Sequence, residues 1–490
     1  MNSRTKQAVF STIISYLGVV AGFLTSAILI PSYLAPAQVG LVKLIAATVG
    51  IFASIFSLGV HQMLYRSYSE YSSTPEKQNN LFFVAIKFTL IGVVFALPVY
   101  FFLYSNMLNI DEKTLDFNKT NLFVISVFIA IAFRIVYNAI FSFVRMKGKV
   151  IIDSVIQNIV LKAGILVLVI FYITDFISFT TFIYAHISIY LLFPLLGLIY
   201  MQYMGYTPKW KKVSYEKAER KELYRLSIFG SLAAIGGSLY LFLDTFMVNY
   251  FLNESDVGIY GTMFLFGIIV NIPSRNLRNA SVSIISEYVS NGETEKLGKL
   301  YQKSSNHLLL IGGYLFLGVI ANLQVIYYFL PDDYGNTFYI IFFIGIAQLV
   351  DMVTSVNIEI IASSKHYRLN TYFVFISIVV AIIFNWIFIP LYGIEGAALG
   401  TLLAVMINNT LRTIAVGRIF KIYPLNMGTF KSLFVIVVCY VVMIFIPNAD
   451  SPILDFLLRG IVITAIYLPL TYLLNISNDI NSKLDKIIRR

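Results

Sequence analysis

Several charged side chains stand in the middle of apolar runs, and their spacing is that of a helix face. Arg134 is followed by Asn138 and Ser142, and Ser154 by Asn158 and Lys162, both in steps of four. Four-residue steps keep side chains on one slowly drifting face, so each run presents a polar stripe holding a cation. Guanidinium and ammonium groups both suit phosphate, the first as a bidentate fork and the second as a point charge. Farther along, Asp351, Ser355 and Glu359 repeat the step, and Asp244 lies in another apolar run. A carboxylate in a low-dielectric setting can take up and release a proton, or bind Na+ when ionised. The first half of the chain thus carries cations and the second carboxylates. Two readings stay open. The charges are either ion pairs locking helices together or the lining of a wet cavity. In the second case Arg134, Lys162, Asn138 and Asn158 hold an anionic substrate, and Asp244, Asp351 and Glu359 couple its movement to an ion. Lys43 and Lys87, nearer the ends of their runs, either join that anion site or snorkel to lipid headgroups, and Arg459 is similar.

The elements that must position these groups follow from composition. The 490 residues are 58% hydrophobic and 12% charged, with mean hydropathy +0.79. Soluble domains carry about 25% charged residues, so this chain needs lipid as the solvent for its outer face. Fourteen apolar runs are long enough to span a bilayer, the first at 11–34 and the last at 454–475. The pattern predicts an all-α integral membrane protein of about fourteen transmembrane helices. Ser11 to Leu34 is too long for the core of a signal peptide and reads as an uncleaved first span. The net charge of +11 is distributed as in a membrane protein, not as a nucleic-acid footprint. Alternate loops hold most of the Lys and Arg, whereas the opposite loops hold only Lys113 and Lys119. That bias places both termini in the cytoplasm.

A stretch from Pro31 to Thr74 is echoed between Asn249 and Asn291. At an offset of 218 positions, Val39-Gly40 falls on Val257-Gly258, and the basic turn at Lys147 falls on that at Lys365. The offset maps span 1 onto span 7, so the copies share one topology, a parallel repeat about an axis along the membrane normal. The expected organisation is a six-helix bundle at 1–206, a cytoplasmic linker at 207–222, a second six-helix bundle at 223–422, and two extra helices with a tail at 423–490. The basic linker is expected to lie on the inner leaflet, drawn to anionic lipid, or to be a solvated loop.

No Walker A loop, nucleophile elbow or zinc motif is present, so neither enzymatic chemistry nor a cofactor is indicated. His61, His186, His307 and His366 have no metal-ligand partner at helical spacing, and Cys439 is the single cysteine.

The opening hairpin "IPSYLAPAQVGLVKL", the segment "FSLGVHQMLYRSYSEY", "LDTFMVNYFLNESDVGIYGTMF" and "PLYGIEGAALGTLLAVMINNTLR" together resemble the polysaccharide transporters of the MOP (multidrug/oligosaccharidyl-lipid/polysaccharide) superfamily. The likeness is to the Wzx-type O-antigen and capsule-repeat flippases and covers essentially the whole chain. It implies MATE-like bundles in the bacterial cytoplasmic membrane. It also implies flipping of undecaprenyl-pyrophosphate-linked oligosaccharide by alternating access around a cationic cavity. H+ or Na+ would be the coupling ion, and polysaccharide polymerase and chain-length machinery would be partners. The lipid II flippase branch has charged residues in its first span, and the drug-exporting MATE branch has an acidic one. Ser11 to Leu34 has neither, which favours the sugar branch over a multidrug or metabolite antiporter. A scaffold for polysaccharide assembly that does not itself transport is the third alternative.

Overall fold

The computed structural model describes residues 18–107, 121–147, 151–206, 215–447, 449 and 451–476. Lys113, Lys119, the linker stretch 207–214 and both chain ends lie outside them. Among the described residues all regular structure is helical.

Helix α1 (Gly18–Tyr33) contains a π-helical turn at Leu24–Leu29. Leu34 is extended, and α2 (Pro36–Phe56) starts on a proline, which has no N–H to leave unsatisfied in a first turn. The Gln38 side chain accepts from the Ala35 N–H at 3.2 Å, fixing this tight hairpin. The chain breaks at Ser57–Gly59, where Leu58 (φ 45) and Gly59 (φ 62) adopt left-handed backbone. It resumes as α3 (Val60–Glu70). Then follow α4 (Pro75–Met107), α5 (Asn121–Met146), α6 (151–173, with a π-helical turn at Ile156–Val160), α7 (Phe179–Tyr203) and α8 (Lys217–Phe251). Helix α9 (Glu254–Ser290) contains a 3-10 turn at Ile269–Asn271. After it come α10 (Thr294–Ala321), α11 (Leu323–Tyr328), α12 (Phe338–Thr354), α13 (Asn357–Ala362), α14 (Arg368–Phe420), α15 (Met427–Ile444) and α16 (Pro452–Leu473).

Among the described residues the fourteen expected apolar runs are helical, three of them across a break between two helices, but length and apolarity do not reproduce that number of spans. Among the described residues ten helices satisfy them, or eleven if α8, bent by 52°, counts as one span. Helix α12 is shorter than a full crossing, and the runs at 370–390 and 395–417 join in α14, which kinks at Gly393 (φ 59, ψ −139).

The chain divides into two compact units, one ending at Gly258 and the other beginning at Ile259. The first takes in α8, which the repeat offset assigns to the second half. Its packing explains why. Ser227 on α8 donates to the Leu58 carbonyl at the α2–α3 break. A Cβ added to Gly40 of α2 would lie 1.8 Å from the Glu254 carbonyl oxygen, and one on Gly258 would lie 2.0 Å from that of Pro36. The end of the linker docks on the same unit. Tyr215 is buried, its hydroxyl lies 3.2 Å from Asn80 Oδ1, and Lys77 pairs with Glu219 at 2.5 Å. Burial raises the Tyr215 phenol far above its usual range, so it stays protonated. This described end of the linker therefore rests on protein.

In the second unit α12 stops where Ser355 turns left-handed (φ 48). Arg459 does not snorkel: it is buried and donates to Asp455, one turn away on α16, at 2.8 Å. A charge withdrawn from water is tolerated when such a partner and further hydrogen bonds accept it.

Candidate anion-binding site

Arg134 sits half-buried on α5. Its guanidinium carbon lies 4.7 Å from the centre of the Tyr137 ring and 5.6 Å from that of Phe193 on α7. One NH2 donates to Gln157 Oε1 on α6, at 3.4 Å. Lys162, also half-buried on α6, donates from Nζ to the Gly18 carbonyl at 2.6 Å. Among the described residues no carboxylate lies within ion-pair distance of either cation. Their immediate partners are aromatic faces, an amide and a backbone carbonyl, none of which carries a negative charge.

Helix α1 approaches α6 closely through Gly18 and Gly22. A Cβ on Gly18 would lie 2.4 Å from Asn158 Cβ, and one on Gly22 would lie 2.6 Å from Lys162 Nζ. Small residues four apart permit such close crossings in lipid. Asn158 thus packs on α1, and the Asn138 amide donates to Ser57 Oγ at 3.0 Å, bracing the α2–α3 break. The two polar stripes meet through Gln157, not through Asn138 or Asn158. Lys43 is half-buried on α2. Lys87 is exposed on α4 beside Phe83, Ile86, Leu90 and Val94, where its stem covers an apolar face.

The expected contrast between a cationic half and an acidic half does not hold. In the first unit, Asp153 on α6 is 5% exposed and accepts from Tyr137, Gln157 and Arg145. In the second, Asp351 on α12 pairs with Arg278 on α9 at 2.6 Å. Asp351 also accepts from Asn271 at 3.1 Å and from Asn409 at 3.4 Å. Glu359 on α13 is half-buried, its Oε2 has no hydrogen-bond partner among the described residues, and Arg278 and Arg412 act on it electrostatically. Asp244 lies half-buried on α8. Asp153, Gln157 and Arg278 lie outside the four-residue stripes read from the sequence. The first two were visible as a further i, i+4 pair one position ahead of Ser154 and Asn158. Arg278 had no such signal, because it stands 73 positions from Asp351.

A sequence profile described as "Polysaccharide biosynthesis protein" matches residues 5–274. The Haloferax volcanii protein named "Probable low-salt glycan biosynthesis flippase" is 23% identical over 202 residues, covering 41% of this chain and 42% of the relative. The match thus spans less than half the length of that curated relative. Among solved structures, the lipid II flippase MurJ in an inward closed conformation superposes with TM-score 0.73 at 14% identity, over 95% of this chain and 98% of that one. An inward-facing multidrug resistance MATE family transporter of the MOP superfamily gives 0.63 at 14% identity, over 86% and 98%. With a family profile matching more than half its length and this architecture, the chain belongs to the polysaccharide biosynthesis protein family and has the fold of the MOP-superfamily transporters.

Proposed function

We propose that the protein flips a lipid-linked oligosaccharide, with undecaprenyl pyrophosphate as the lipid, across the cytoplasmic membrane by alternating access. The product would feed synthesis of a surface polysaccharide such as O-antigen or capsule. The observation that carries this reading is the pair Arg134 and Lys162, two half-buried cations without a carboxylate partner among the described residues. Charge in an apolar setting is costly unless a counter-ion or water meets it, and a pyrophosphate group supplies the counter-charge. The family's link to polysaccharide synthesis supports the glycan, and the names of the Haloferax relative and of MurJ support flipping.

Asn138 and Asn158 would offer amides to phosphate or sugar oxygens, and Lys43 and Lys87 would draw the headgroup in. The second unit has an apolar groove of about 580 Å³ lined by Phe342, Ile346, Val350, Leu433 and Val437, which suits a long hydrocarbon chain. Glu359, Asp351 and Asp244 are the groups through which H+ or Na+ would reset the cycle. Both chain ends would face the cytoplasm, and polymerase and chain-length proteins would be partners.

The test is the double variant Arg134→Ala, Lys162→Ala. It should abolish surface polysaccharide at unchanged protein level, and fail to move a labelled polyprenyl-pyrophosphate sugar in liposomes. Full function of the double variant removes both cations from the mechanism. Failure of the unaltered protein to move the labelled lipid favours the scaffold alternative.

A further inference from the structure

Asp153 is buried at the centre of a network that the anion site itself does not contain. Its Oδ1 accepts from the Tyr137 hydroxyl at 2.5 Å and from Gln157 Nε2 at 2.9 Å. These are two of the side chains that touch Arg134, one beneath the guanidinium plane and the other at its edge. An ionised carboxylate accepts hydrogen bonds and cannot donate. It therefore orients the Gln157 amide with its NH2 toward Asp153 and its carbonyl oxygen toward Arg134. The Oδ2 of Asp153 is occupied by Arg145. That pairing offsets the charge of Asp153 locally, so the carboxylate sets geometry without cancelling Arg134.

We propose that Asp153 is a positioning residue for Arg134, acting through Tyr137 and Gln157, with Arg145 as its counter-charge. This rests on the reading of Arg134 as a pyrophosphate ligand. The network fixes the guanidinium on its aromatic bed and leaves its remaining N–H groups for the anion. A pre-set fork binds with less ordering cost than a mobile one.

Substituting Asp153 itself risks misfolding, since it would orphan Arg145 and Tyr137. The experiment therefore removes the two struts. Inorganic pyrophosphate is titrated calorimetrically into the full-length protein in nanodiscs, for wild type, Arg134→Gln, the strut variant Tyr137→Phe plus Gln157→Leu, and all three substitutions together. The strut substitutions should weaken binding about tenfold when Arg134 is present, the scale of one or two lost hydrogen bonds. They should cost nothing further in the Arg134→Gln background, where there is no guanidinium to position. Non-additivity of this kind is the signature of action through a shared partner. Equal loss in both backgrounds, or no loss with Arg134 present, overturns the positioning role and leaves Arg134 as a ligand. Wild-type affinity in Arg134→Gln, or no binding by wild type, overturns the ligand reading and the inference with it.

Discussion

Gly18 and Gly22 stand one turn apart on α1 and face the same helix, yet an added methyl group would meet different obstacles. At Gly18 it would press on Asn158 Cβ and on the Asn158 carbonyl oxygen at 2.7 Å, neither of which can swing away. At Gly22 it would meet only the flexible end of Lys162. Gly18→Ala should therefore destabilise the protein by about 1–3 kcal/mol, the usual cost of overpacking, seen as a lower melting temperature in detergent. Gly22→Ala should leave the melting temperature nearly unchanged but shift the Lys162 ammonium and weaken pyrophosphate binding. The cations at Arg134 and Lys162 were legible because helical spacing is printed in the sequence. Their immediate partners were only partly so. Gln157 could be found by the same spacing, whereas the bond from Lys162 to the Gly18 carbonyl bridges 144 positions. Asp351 shows the limit most plainly, since only the fold reveals that Arg278 occupies it.

At the scale of elements, the length of each apolar run announced a helix, but the interruptions did not announce themselves. Leu58 has no intrinsic preference for φ 45; left-handed backbone costs an ordinary residue about 1–2 kcal/mol. The break persists because Ser227 and Asn138 hold the carbonyl and hydroxyl on either side of it. Gly59 and Gly205 offer a matched comparison, with φ of 62 and 71. A methyl group on Gly59 would lie 2.1 Å from the Ser227 carbonyl oxygen, while one on Gly205 would meet nothing within 4 Å. Gly205→Ala should cost about 1 kcal/mol, from backbone strain alone. Gly59→Ala should cost clearly more, because it also pushes α8 away from the break. Parallel thermal melts of the two variants check this, and equal shifts would show that the α8 contact contributes nothing. The docked end of the linker was illegible for a related reason. Its basic composition pointed to lipid, and only the partners Asn80 and Lys77 reveal a protein seat.

For the molecule as a whole, the alternation of basic and neutral loops makes orientation a direct prediction. Cys439 is buried and is the single native thiol, so in a Cys439→Ala background a new cysteine reports its own side of the membrane. Phe176→Cys, at a site 76% exposed between α6 and α7, should react with an impermeant maleimide in intact cells. Asn291→Cys, exposed just after α9, should react only once the membrane is opened. The reverse pattern would invert the assigned topology. The internal repeat was readable chiefly as a spacing, and it survives best at the dipeptides Val39-Gly40 and Val257-Gly258. The close packing at Gly40 and Gly258 accounts for a glycine at each. At this crossing a methyl group on either glycine would run into a carbonyl oxygen of the facing segment, Glu254 opposite Gly40 and Pro36 opposite Gly258, so the hairpin can seat on its counterpart only while both positions stay bare.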